Sequence, residues 1–120
     1  MKKIKRLMII PARGNSKRIK NKNIRNFNGM PIIYYSIDSA LKSNLFSKIH
    51  ISTENIKIKK LVEKKGLKID FMRPKKLSRD LTPLIHVFQY VVDEYSKKGL
   101  NYDEIWSLMP CSPLIDYKDL

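Results

Sequence analysis

Directly after its first apolar run the chain reads Ile10-Pro11-Ala12-Arg13-Gly14-Asn15-Ser16-Lys17-Arg18, followed shortly by Lys22-Asn23-Ile24. Small residues at 12, 14 and 16 let a backbone come close to a ligand, and its N–H groups can converge on an anion. Arg13, Lys17, Arg18 and Lys22 add cationic donors suited to phosphate oxygens. The combination describes a cradle for a triphosphate. It is not the P-loop, which needs a Gly-Lys-Ser/Thr ending, nor the dinucleotide fingerprint, whose glycines are absent. On residue types alone, a solvated basic loop and a general RNA-contacting surface stay open beside it.

Charge distribution points to the same region. Of 120 residues, 25 are Lys or Arg and 11 are Asp or Glu, a net +14. Residues 1–60 carry 15 basic and 2 acidic side chains, whereas residues 61–120 carry 10 and 9, and no acidic residue precedes Asp38. Such a balance implies an anionic partner: nucleic acid, anionic membrane or a phosphorylated small molecule. With 42% apolar residues the chain has enough for one packed interior, which excludes wholesale disorder and a multi-domain machine. The single cysteine, Cys111, excludes an internal disulfide and a multi-thiolate zinc site, and fits a reducing compartment. Pro11 and Arg13 cut the leading apolar run short of a signal-peptide core or a membrane span, so the protein is expected in the cytoplasm.

The elements that must position this loop follow from periodicity. Residues 4–10 are expected as a buried strand ended by Pro11, and residues 11–30 as a long loop of the kind that usually serves function. Pro31 is expected at a helix start, with Ile33, Ile37, Ala40 and Leu41 at helical spacing through about Ser43. Ile49 to Ser52 alternates like a strand. Glu54 or Asn55 can cap a helix through Ile58, Leu61 and Val62 that stops at Gly66. Leu67 to Met72 is expected as a third strand, and Arg73 to Asp80 as a second polar loop. Thr82 as N-cap and Pro83 at the first helical position open a helix with Leu84, Val87, Phe88, Val91, Val92 and Tyr95 on one face, ending near Gly99. Ile105 to Met109 is a fourth strand, and another helix starts near the end of the chain. Strands alternating with helices predict a parallel sheet flanked by helices, with ligands at the carboxyl edge where both polar loops open.

These residues carry a resemblance. Ile10 to Arg18 with Lys22-Asn23-Ile24 resembles the nucleotide-binding signature of the acylneuraminate (sialic acid) cytidylyltransferases and their pseudaminic and legionaminic acid relatives. Ile51-Ser52-Thr53-Glu54 resembles the family's Ser-Thr-Asp segment. Arg73-Pro74 with Leu77-Ser78-Arg79-Asp80 and Thr82 resembles its Arg-Pro…Leu-Ser-x-Asp-x-Thr block, and Pro110-Cys111-Ser112-Pro113-Leu114 its Pro-Thr-Ser-Pro-Leu segment. Four motifs in order cover essentially the whole chain. Asn15, Lys20, Met109, Cys111 and Ile115 depart from the family's usual residues.

The resemblance implies an α/β, Rossmann-like, mainly parallel sheet of the nucleotide-diphospho-sugar transferase type. Residues 1–120 would form the N-terminal nucleotide-binding part of a single, truncated cytidylyltransferase domain. It further implies transfer of CMP from CTP to a nonulosonic sugar acid for cell-surface glycans, with pyrophosphate released. By matched position Arg13, Lys17 and Lys22 would act on the triphosphate. Ala12, Gly14, Ser16 and Asn23 would bind the nucleotide, Arg73 would lie near the cytosine, and Asp80 and Thr82 would shape the base or sugar pocket. Mg²⁺ is implied with its ligands in the missing C-terminal half, and none in this chain; the full-length form is implied to be a homodimer, without a membrane partner. Two other readings compete: a CTP-binding fragment without catalysis, and a small basic nucleic-acid-binding module. The aromatic and glycine signatures of recognised RNA modules are missing, which weighs against the latter. Cys111, His50, His86, Tyr34, Tyr35 and Trp106 read as packing or surface residues, and the lysines between 57 and 65 as a solvated face.

Overall fold

Leu7, Met8, Ile9 and Ile10 are all 0% exposed, because the strand they belong to, β1 (Arg6–Pro11), lies in the middle of a sheet. A strand covered on both faces must be apolar at successive positions rather than at alternate ones. In the computed structural model residues 3–14, 26, 27, 29–79 and 81–110 are described. Within them β1 pairs in parallel with β4 (Lys48–Ser52) on one side and with β5 (Glu104–Ser107) on the other. The register sets Pro11 opposite Ser52 and Ile9 opposite Ser107, so the strands end together. A small antiparallel pair, β2 (Asn26–Phe27) and β3 (Met30–Pro31), interrupts the expected long loop.

Alternation along β1 sorts the helices onto two faces. Met8, Ile10 and Ala12 pack with Ile33, Ile37 and Ala40 of α1 (Ile33–Ser43) and with Ile58 and Val62 of α2 (Ile56–Lys64). Leu7 and Ile9 pack with Val91 and Tyr95 of α3 (Leu84–Lys97). Each fully buried aliphatic side chain contributes about 1.5–3 kcal/mol relative to exposure, so the fold is a helix–sheet–helix sandwich with β1 as its axis. Asn55 caps α2, its side chain accepting from the Ile58 N–H at 3.1 Å. Asn44 closes α1 in the left-handed region at φ 56°, a conformation Asn tolerates. The expected parallel α/β sheet is therefore present. Among the described residues no helix is long and apolar enough to cross a membrane.

Five expectations are corrected. The first strand runs from Arg6 to Pro11, and the last from Glu104 to Ser107, each shifted from the stretch expected. Pro31 sits in β3, and α1 begins at Ile33. Helix α3 begins at Leu84; Pro83 is extended (φ −63°, ψ 140°) and itself occupies the cap position, which leaves Thr82 one residue too far out, and no side chain caps the helix. Residues 67–72 form no strand. Ile69 and Phe71 do point to opposite cores, which produces the alternation, but the backbone bond comes only afterwards, at Arg73, whose N–H donates to the carbonyl of Thr53, just past the end of β4, at 2.7 Å. The helix expected beyond residue 110 lies outside the described residues.

Candidate functional site

The carboxyl ends of β1 and β4 are tied together beyond the sheet. The Ala12 N–H continues the ladder onto the Ser52 carbonyl at 2.8 Å. One step further, the Gly14 N–H donates to Glu54 Oε1 at 2.6 Å. Gly14 also has no room for a side chain: a Cβ there would overlap the Nδ2, Cβ and Cγ atoms of Asn55. The loop that follows β1 thus leaves the sheet with its first turn set by β4's exit, Ser52 to Asn55.

The second polar loop enters the same junction. Arg73 is 5% exposed. Its Nε donates to Ser52 Oγ at 3.0 Å and its Nη2 to the Ser52 carbonyl at 2.9 Å. Burial lowers the guanidinium from its ordinary value to about 10, against which Glu54 favours the charged form and Arg13 opposes it; it is still a cation at neutral pH. From the other side, Arg13 Nη1 reaches the Ser78 carbonyl at 3.4 Å. Ser78 is itself held in a short 3-10 turn, Lys75–Leu77, by its hydroxyl donating to the Pro74 carbonyl at 2.9 Å. Lys75, Lys76 and Arg79 stand exposed on this rim. The two polar loops therefore do meet at the carboxyl edge, as the parallel sheet required.

Of the residues singled out in the sequence, Ala12, Arg13, Gly14 and Arg73 come together here. Thr82 stands at the far end of the second loop, half-buried. Ser16, Lys17, Lys22, Asn23 and Asp80 lie outside the described residues, as does Cys111. The hydrogen bonds of the Arg73 guanidinium named above run to Ser52 of the protein itself. Residues that the sequence did not single out for binding complete the junction: Ser52, Glu54 and Asn55. Their signal was the Ser-Thr-Glu-Asn run itself, which read as strand end, helix cap and part of the family resemblance, with no binding role attached to it.

A second polar cluster lies elsewhere. His50, 1% exposed, packs against Phe71 with ring centroids 4.4 Å apart and sets Nδ1 3.1 Å from the Tyr95 hydroxyl. That hydroxyl donates to Asp70 Oδ2 at 2.8 Å, and Lys48 pairs with the same oxygen at 2.8 Å. Since the tyrosine proton goes to Asp70, the histidine is assigned as the Nδ1–H tautomer donating to the hydroxyl oxygen. Burial lowers its pKa from 6.5 to about 4, so it is neutral and structural, in line with the packing role expected. Trp106 likewise packs edge-on against Phe46 at 5.5 Å.

Comparison with known proteins places this geometry. A family profile described as Cytidylyltransferase matches residues 7–102. The chain is 39% identical over 117 residues to the pseudaminic acid cytidylyltransferase of Campylobacter jejuni subsp. jejuni serotype O:2, covering 98% of this chain and 50% of that protein. It is 31% identical over 107 residues to the CMP-N,N'-diacetyllegionaminic acid synthase of Legionella pneumophila, covering 89% and 46%. The solved structure of CMP:2-keto-3-deoxy-manno-octonic acid synthetase complexed with CTP superposes with a TM-score of 0.76 at 22% identity, over 96% of this chain and 44% of that one. That likeness shows a shared fold. The chain spans about half the length of the curated relatives it matches.

Proposed function

Since the chain belongs to the cytidylyltransferase family, as its four ordered motifs led one to expect, we propose that the protein transfers CMP from CTP to a nonulosonic sugar acid and releases pyrophosphate. The supporting observation is the junction at the carboxyl edge: a small-residue, cation-rich loop leaves β1 with Arg13 and Gly14 held against β4 and the second loop. In this reading the anomeric hydroxyl oxygen of the sugar acid attacks the α-phosphorus of CTP. The bond to the β,γ-diphosphate breaks, and the hydroxyl proton is released. Negative charge grows on the departing pyrophosphate, so cations and backbone donors set beforehand lower the barrier.

Arg13, Lys17 and Lys22 would neutralise that charge. Ser16, Asn23 and the backbone of Ala12 and Gly14 would hold triphosphate and ribose, with Arg73, Asp80 and Thr82 near the base or sugar. Mg²⁺ would supply further charge neutralisation. Among the described residues no group of three or more His, Cys, Asp or Glu could hold a metal ion. A cytoplasmic location and a homodimer belong to the same proposal.

The test is pyrophosphate release from CTP against a panel of pseudaminic, legionaminic and acylneuraminic acids. Release with one of these sugars, and none with CTP alone, is the expected result. CTP binding without release with any of them would reduce the function to nucleotide binding, and absence of both would remove the proposal.

A further inference from the structure

Glu54 stands at the centre of the junction in a way that its neighbours do not. Its Oε1 takes the Gly14 N–H at 2.6 Å, a short contact of the charge-assisted kind. Directly behind Gly14 is Asn55, whose own side chain is fixed: Oδ1 accepts the Ile58 N–H at 3.1 Å, and its backbone N–H donates to Thr53 Oγ1 at 3.1 Å. Gly14 is therefore gripped twice, at its amide by a carboxylate and at its Cα by an anchored amide side chain. Position 14 can give a ligand close backbone approach only in the place where this grip leaves it.

The carboxylate also sits in the field of the Arg73 guanidinium. It stabilises the charge on buried Arg73, which Arg13 destabilises. Two like charges at one sheet edge repel, and a fixed anion close to Arg73 offsets that repulsion. Metal ligation is the competing role for a carboxylate near a phosphate site. Here, however, one carboxylate oxygen is committed to an amide, and no cluster that could hold a metal stands among the described residues.

We infer that Glu54 is a positioning residue of the nucleotide site, holding the Gly14 amide so that the loop after β1 leaves the sheet on the line that phosphate binding needs. The inference rests on the CTP reading above for its ligand, though not for the grip itself.

The experiment combines CTP affinity, measured by calorimetry with and without Mg²⁺, with amide hydrogen exchange at Ala12 and Gly14 in the absence of nucleotide. Glu54→Ala is expected to weaken CTP roughly ten- to a hundredfold, to speed exchange at Gly14, and to leave Ala12, bonded to the Ser52 carbonyl, protected. Glu54→Gln keeps an acceptor oxygen at the same reach and is expected to recover most of the affinity and the protection. Glu54→Asp keeps the charge but is one methylene short, and is expected to resemble Glu54→Ala; it carries the test if the alanine variant fails to fold. Wild-type affinity in both Glu54→Ala and Glu54→Asp would overturn the inference. So would a Glu54→Gln protein as weak as Glu54→Ala with Gly14 still protected, since the carboxylate would then act on ligand or metal directly. If the wild type binds no CTP, the functional reading fails by itself, and unchanged Gly14 exchange in Glu54→Asp would still overturn the grip.

Discussion

His50 and Ser52 are two residues apart on β4 and share one face of the strand, yet the networks they start do different work. The first runs from side chain to side chain, His50 to Tyr95 to Asp70 to Lys48, and joins β4, the 67–72 segment and α3 across the sandwich. The second runs mainly from side chain to backbone, Glu54 to Gly14 and Arg73 to Ser52, and fixes where two loops begin. A network of the first kind sets how stable the layers are. One of the second kind sets where ligand-facing atoms stand. On one strand, then, stability and recognition are held by separate hydrogen-bond systems.

That separation can be broken deliberately, and the largest effect lies on the stability side. Tyr95→Ala removes a fully buried ring and leaves Asp70 and His50 without their common partner; a loss of about 3–5 kcal/mol is expected in denaturant unfolding, with CTP affinity of the folded fraction unchanged. A matching loss of affinity would show the two networks to be one. Next comes pH. The folded pKa of His50, about 4, lies below its unfolded value of 6.5, so the unfolded chain takes up a proton first. Its stabilisation is complete above pH 6.5, declines as pH falls and is gone below about 4. The whole span amounts to something on the order of 3 kcal/mol. Unfolding free energies measured across that window should slope in the wild type and flatten in His50→Gln; a slope of the same size in the variant would assign it to other groups.

Smaller effects sharpen the recognition side. Gly14→Ala forces a methyl into the Asn55 side chain and should cost about 1–3 kcal/mol, together with CTP affinity. Adding Asn55→Gly removes the obstructing atoms, so the pair should recover part of both, and strict additivity would exclude the contact. Smallest is Asn55→Ala, expected to cost about 1 kcal/mol through the lost cap, read from the thermal midpoint.

What the sequence disclosed follows the range of the interactions involved. Helices α1, α2 and α3 were legible because each buries one stripe at helical spacing, and Arg13 and Gly14 because they lie just beyond an apolar strand. Residues 67–72 misled because alternation reports which core a side chain enters, whereas a ladder also needs a partner's backbone in register. Thr82 misled because the Thr-Pro pair suits a cap locally, while the helix starts one residue later, at Leu84, and puts Pro83 in the cap position. The contact of Glu54 with Gly14 escaped for a further reason: the two are 40 positions apart, and they meet only after β1 and β4 have paired.

Asn55 gives the junction a history as well as a shape. The side chain that backs Gly14 is the one that caps α2, and a helix is slow to start and quick to extend. The loop after β1 therefore has only the Glu54 side of its grip until the first turn of α2 fixes Asn55. On refolding, nucleotide competence should emerge after that turn, however early the loop's own residues are brought to the edge of the sheet.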